Sequence, residues 1–172
     1  MRKHEHHGRA QRKSAQQALT PGIIDIKMQI QIVSSEDDLP AICAQMQPGL
    51  WGVDNEMDAY EPEKLRAFLE AGGILLLAKD GDNIAGGIVA HILPDPSGKN
   101  MFFVFSLDTH PNYRRQGVAT ILMNKCSEIA KEKGLAEVWI IANSNNEPAN
   151  KFYQSLKPDE VEPSVMYAYK VQ

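Results

Sequence analysis

The sequence lacks most of the features that assign a chain to a class at a glance. Only two of its 172 residues are cysteine, Cys43 and Cys126. Each sits inside an apolar helical pattern, where a free buried thiol is common, so no disulfide framework is expected and a reducing cytoplasm fits best. No apolar run approaches the roughly 18 residues that a membrane-crossing helix needs. The first residues show no apolar stretch of the signal-peptide kind. Two phosphate-binding signatures are missing as well. There is no glycine followed four residues later by Gly-Lys-Ser/Thr, and no strand is followed by the three glycines of a dinucleotide loop.

What is present is a globular composition, 43 % hydrophobic and 23 % charged, with a formal net charge of −4. That charge is unevenly spread. Residues 1–27 hold six Lys/Arg and two acids, which leaves 12 basic and 20 acidic residues, a net of −8, on the rest. An acidic body does not suit nucleic acid, whose binding depends on neutralising phosphates, and it suits a cationic partner better. Residues 1–27, with His4, His6, His7 and several glutamines but little apolar periodicity, read as a disordered arm or leader rather than a metal site. Met28, where a strand-like run begins, marks the expected start of one domain spanning 28–172.

Alternation predicts a strand over Met28–Val33. Ser35-Glu36-Asp37-Asp38 opens a helix that runs to about Met46. Pro48–Tyr60 reads as a loop, and Pro62 and Gly72 bracket a second helix. Ile74–Ala78 and Ile84–Leu93, joined by Asp80-Gly81-Asp82-Asn83, read as a hairpin. Gly86 and Gly87 within it suggest a bulge or a close backbone approach. Met101–Thr109 is a central apolar strand. The longest helix is expected over Arg114–Lys133 with Gly134 ending it, then a strand over Ala136–Ala142, a helix over Asn146–Leu156 and a closing strand over Val165–Val171. This order predicts an α/β fold, a mixed sheet with helices on both faces and a right-handed crossover between parallel strands at Met101–Ala142.

The chemistry concentrates in Leu107-Asp108-Thr109-His110-Pro111-Asn112-Tyr113-Arg114-Arg115-Gln116-Gly117-Val118-Ala119-Thr120, which joins the buried strand to the long helix. The first amides of a helix lack internal partners and the helix dipole makes that end positive. Gly117 removes a side chain where an anion would approach, Ala119 keeps the next turn thin, and Arg114 and Arg115 add charge. A pyrophosphate fits such an end.

The pattern Arg114-x-x-Gly117-x-Ala119, preceded by Leu107, Thr109 and Pro111 and followed by Asn146-x-x-Ala149-x-x-Phe152-Tyr153, resembles the GCN5-related N-acetyltransferase (GNAT) family. The resemblance covers Ile74–Tyr153 by motif and Met28–Gly73 by element order. It implies the acyl-CoA N-acyltransferase fold, a mostly antiparallel sheet whose central strands splay to admit acetyl-CoA. It further implies that Leu107, Asp108 and Thr109 line the pantetheine arm, that Arg114, Arg115, Gln116, Gly117, Val118, Ala119 and Thr120 hold the pyrophosphate, and that Asn146 and Ala149 contact the cofactor. The implied reaction is direct attack of a primary amine of a small molecule or peptide on the thioester, without a metal. Tyr153 takes the family's position for the proton donor to the leaving thiolate.

Three points stay open on the residues. The strand Phe102-Phe103-Val104-Phe105 offers no base, leaving Asp108, His110, His91, Asp54, Glu56 and Asp58 as candidates. The loop with Trp51, Asp54, Glu56, Asp58 and Tyr60 lies where the family shapes its acceptor pocket, and Gly86–Pro94 bears a short likeness to aminoglycoside 3-N-acetyltransferases. Leu156-Lys157-Pro158 replaces the family's Gly-Phe, so the closing strands are either abbreviated or paired, within the chain or with a second copy as a homodimer. The alternative from another class is a catalytically silent acyl-CoA-binding regulatory module.

Overall fold

The computed structural model describes residues 28–46, 59–165 and 167–171. The arm at 1–27 and the loop residues Trp51, Asp54, Glu56 and Asp58 lie outside them. Five strands form one sheet in the order β1-β2-β3-β4-β5: β1 Gln29–Ile32, β2 Gly73–Asp80, β3 Asn83–Leu93, β4 Met101–Thr109 and β5 Glu137–Ile140. The first four pair antiparallel, and β4 pairs parallel with β5. Helices α1 (Leu39–Gln45) and α2 (Pro62–Glu70) precede β2, α3 (Val118–Glu132) joins β4 to β5, and α4 (Glu147–Ser155) follows β5.

The sheet buries both faces. One core joins Leu76, Ala78, Ile88, Ala90, Phe102 and Val104 of the strands to Val118, Leu122, Cys126, Ile129 and Ala130 of α3. The other joins Leu75, Leu77 and Ile84 to Leu39, Ile42, Cys43 and Met46 of α1 and Leu65 of α2. Successive residues of β2 thus divide between the two cores, as the pleat requires. The hairpin expected at Asp80–Asn83 turns on Gly81, whose φ of +58° a side chain would resist.

Two bulges reset the alternation. Ala78 and Lys79 oppose Gly86 and Ile84, so Ala85 is the extra residue on β3. Val89 and Ala90 oppose Ser106 and Val104, so Phe105 is the extra residue on β4, and it is 71 % exposed. After the first bulge a Cβ on Gly86 would lie 2.5 Å from Val118 Cγ1 and 3.0 Å from the Asp108 carbonyl oxygen. The close approach expected there is therefore made to α3, which sits directly on the β3 backbone.

Three expectations need correction. The first helix is capped by Asp38, whose Oδ1 accepts from Ala41 N at 3.1 Å, rather than by Ser35. The longest helix begins at Val118, not Arg114, because Pro111–Tyr113 forms a 3-10 turn and Gly117 takes a left-handed conformation that no α-helix continues through. Among the described residues the closing strand does not form: residues 165 and 167–171 belong to no strand, with Tyr169 88 % exposed. After α4 the chain passes through Lys157 at φ +57° and the prolines Pro158 and Pro163, which cannot donate to a ladder.

Adding one methyl group at the α3 contact tests the packing. Gly86→Ala is expected to cost about 1–3 kcal/mol through overpacking, read as a lower urea midpoint at unchanged slope. An unshifted midpoint would mean that α3 does not rest on β3.

Candidate active site

The pairing of β4 with β5 is short. It runs from Met101–Glu137 to Val104–Ile140, after which β5 ends while β4 continues to Thr109. Residues 106–109 are paired on one side with β3 and, among the described residues, have no strand on the other. Backbone groups there can pair with an extended ligand as a strand would. The strand predicted over Ala136–Ala142 is shortened for the same reason, and Trp139 and Ile141 at the opening are exposed.

At the end of this opening the chain passes through His110, the 3-10 turn and Arg114–Gly117 into α3. The His110 Nδ1 accepts from Asn112 N at 3.3 Å, and its ring meets Tyr113 edge-on at 5.9 Å. The Gln116 amide donates to the Asn112 carbonyl at 2.8 Å, and Arg114 Nε donates to the Thr109 carbonyl at 3.3 Å. Arg115 and Gly117 both have positive φ, 61° and 85°. This brings the amides of Val118, Ala119 and Thr120 to the start of a 15-residue helix with no side-chain cap, while Ile121 N already bonds the Gly117 carbonyl. Uncapped amides at a positive dipole end can hold an anion.

Asn146 and Ala149 open α4. The Asn146 Oδ1 accepts from Ala149 N at 3.2 Å, so this side chain caps the helix. Asn150 Nδ2 donates to the carbonyls of Asn143 and Asn146 and ties the preceding loop to α4. Tyr153, one turn on, is half-buried. Burial and, secondarily, the negative charge of Asp108 push its hydroxyl pKa up to about 12, so it keeps its proton throughout the range in which enzymes work.

Asp108 itself is half-buried, and burial raises its carboxyl above the usual range despite the opposing charge of Arg114. Tyr60 is raised by burial and, next, by the same Asp108 charge. Tyr60, Leu65, Phe68, Leu75 and Val89 line a cleft of about 250 Å³ on the α1/α2 face. His91 is spent on an edge-on contact with Phe68, ring centres 4.8 Å apart. The two thiols are no nucleophiles: both are buried and outside any disulfide, and burial raises Cys43 and pushes Cys126 up to about 12.

The open edge of β4 thus leads to the uncapped start of α3. The sequence matches the Acetyltransferase (GNAT) family over residues 42–157, about two thirds of the chain. The chain belongs to this family. It is an N-acetyltransferase that moves an acetyl group from acetyl-CoA to an amine. No curated protein sequence matches it. Among solved structures it is similar to aminoglycoside acetyltransferase meta-AAC0020 from an uncultured soil metagenomic sample, in complex with trehalose. That likeness has a TM-score of 0.76 at 24 % identity and covers 87 % of this chain and 99 % of that one. The enzyme AAC(6')-Iy, in complex with a bisubstrate analogue of CoA and acetylneamine, aligns with TM-score 0.67 at 19 % identity over 84 % and 99 %. The ribosomal-protein-alanine N-acetyltransferase of Brucella melitensis biovar Abortus 2308 aligns with 0.63 at 16 % over 83 % and 99 %. These likenesses show the fold.

Among the described residues no cluster of three or more His, Cys, Asp or Glu could hold a metal, and no helix is long and apolar enough to cross a membrane. Sequence reading missed Ser106, which faces the cleft side opposite Val89. Its signal was hidden, because the Phe105 bulge changes the facing of every later β4 residue.

Gly117 separates conformational from electrostatic need. Gly117→Ala is expected to cost about 1–2 kcal/mol of stability, since an L side chain resists the left-handed region. Gly117→Glu should in addition abolish CoA binding by calorimetry, and undiminished affinity would exclude α3 as the phosphate site.

Proposed function

We propose that the acetyl-CoA pyrophosphate rests on the amides of Arg115–Thr120, with Arg114 and Arg115 supplying positive charge. Its pantetheine arm pairs with the free edge of β4 at Leu107–Thr109 and is flanked by Asn146 and Ala149 of α4. The observation that carries this reading is the alignment of β4's unpaired edge with the uncapped start of α3. The working unit is one N-acetyltransferase domain over residues 28–172, acting in a reducing cytoplasm, which two buried cysteines outside any disulfide suit.

The acceptor nitrogen attacks the thioester carbon, and the tetrahedral intermediate collapses by breaking the C–S bond. Tyr153 gives its hydroxyl proton to the departing sulfur and recovers one from the reacting amine through solvent. A hydroxyl held to about 12 loses no proton before that moment. Buried, protonated thiols support direct transfer rather than an acetyl-cysteine intermediate.

The acceptor class we propose is a small polycationic amine of the aminoglycoside kind. Two observations support it: the body of the chain carries a net −8, and structures similar to it are named as aminoglycoside acetyltransferases. Residues 161–165 and 167–171 belong to no strand of the described residues and β5 lies at the end of the sheet, which supports pairing of the two between copies in a homodimer.

The decisive assay is release of free CoA from acetyl-CoA across aminoglycosides, polyamines, amino acids and lysine peptides. Turnover with aminoglycosides alone is the expected result, and turnover confined to lysine peptides would replace the acceptor class. Tyr153→Phe should lower kcat by about 10²-fold, within the span general acids contribute, and leave acetyl-CoA affinity unchanged. A fully active variant would remove Tyr153 from the reaction.

A further inference from the structure

The run Phe102–Phe105 left the reaction without a base, and simple alternation would place Asp108 on the same face as Val104, inside the α3 core. The bulge overturns that. Phe105 has no partner on β3, so the residues beyond it change faces: Leu107 opposes Ile88 and packs on the α3 core, while Ser106 opposes Val89 and Asp108 opposes Gly87. Directly opposed antiparallel residues share a face. A Cβ on Gly87 would lie 3.2 Å from Leu77 Cδ2 and 3.8 Å from Met46 Cε, both in the α1/α2 core. Asp108 therefore projects to the α1/α2 face, where the Leu77 and Met46 side chains already cover Gly87.

That face carries the cleft. Val89, two residues from Gly87 along β3, lines it together with Tyr60. The Asp108 charge acts on Tyr60 at the cleft and on Tyr153 of α4, and Arg114 acts on Asp108 from the turn before α3. Three segments thus bring their titratable groups to one carboxylate. The other described candidates are committed elsewhere. His110 caps the 3-10 turn, and His91, four residues from Gly87 or roughly 13 Å along the strand, stacks on Phe68.

Resting on the acetyltransferase reading above, we propose that Asp108 is the catalytic base, with the acceptor amine lying in the cleft lined by Tyr60 and Val89, on the face to which Asp108 projects. The Asp108 carboxylate takes one proton from the bound alkylammonium and later yields it to solvent. The freed lone pair forms the new N–C bond. The second N–H proton leaves as the C–S bond breaks and replaces the one Tyr153 gave to sulfur. The Phe105 bulge is the device that turns the carboxylate toward the acceptor while Leu107 and Thr109 face the α3 side.

The sign of the pH dependence follows. Asp108 must be ionised to act, and burial raises its pKa, so the acid limb of kcat/KM should lie above the ordinary carboxylate range. Tyr153, held to about 12, contributes no basic limb below that pH.

The test uses the full chain with kanamycin as the acceptor. Asp108→Asn is expected to lower kcat by about 10²–10⁴-fold, the range of general-base catalysis, with KM for acetyl-CoA unchanged. Its acid limb should vanish, and its rate should climb with pH as the acceptor's own ammonium deprotonates. Asp108→Glu should restore part of the rate together with the acid limb, which a merely structural carboxylate would not do. An Asp108→Asn variant that binds acetyl-CoA and keeps the wild-type limb would overturn the assignment. Wild-type protein that binds no acetyl-CoA in calorimetry would overturn the underlying reading, and this inference with it.

Discussion

Everything at this site depends on β4 being half-paired. Between Ser106 and Thr109 the strand is anchored by β3 and, among the described residues, has no strand on its other side, since β5 stops at Ile140. Backbone groups without partners are tolerated only where water or a ligand reaches them, so an opening must exist there. The same half-pairing gives the opening one rigid wall. α3 follows from this wall within nine residues, and its first amides finish the line that the strand edge begins.

The two bulges serve that wall in different ways. The one at Ala85 turns Gly86 toward α3, which lets Val118 pack against bare backbone and fixes the height of the helix start. The one at Phe105 divides β4 into an apolar half that fills the α3 core and a polar half that shows Ser106 and Asp108 to the other face. Each bulge sacrifices one regular ladder position and re-aims the side chains after it. The geometry of the site is thus decided by two extra residues rather than by the loops around it.

Much of this was legible in the residues. The alternation of Ile74–Ala78 and Ile84–Leu93, with Gly81 between, fixed the hairpin to within a few residues. The 3.6-residue stripe of Val118, Leu122, Cys126 and Ile129 gave α3 its buried face. The start of α3 was misplaced by four residues because Arg114–Gln116 have no propensity against helix, and the left-handed turn at Gly117 shows only in φ. The closing strand was misread because Val165, Tyr167, Tyr169 and Val171 alternate well, but alternation does not supply an edge to pair with. The facing of Asp108 was undecidable, since a bulge leaves the composition of a strand unchanged. Position by motif placed Tyr153, yet the two groups that share Asp108's field, Tyr60 and Arg114, come from distant stretches that only the fold brings together.

A sheet left open where a ligand can join it has a thermodynamic consequence. A ligand that pairs with the β4 edge binds the folded chain and not the unfolded one, so it shifts the folding equilibrium by mass action, by about 2.7 kcal/mol at a hundredfold excess over its dissociation constant. For a protein whose edge strand β5 is four residues long and whose last helix buries no residue completely, that is a large share of a typical stability. The lifetime of this protein against proteolysis would then rise and fall with the supply of the ligand that fills the gap, making its abundance a slow record of that supply.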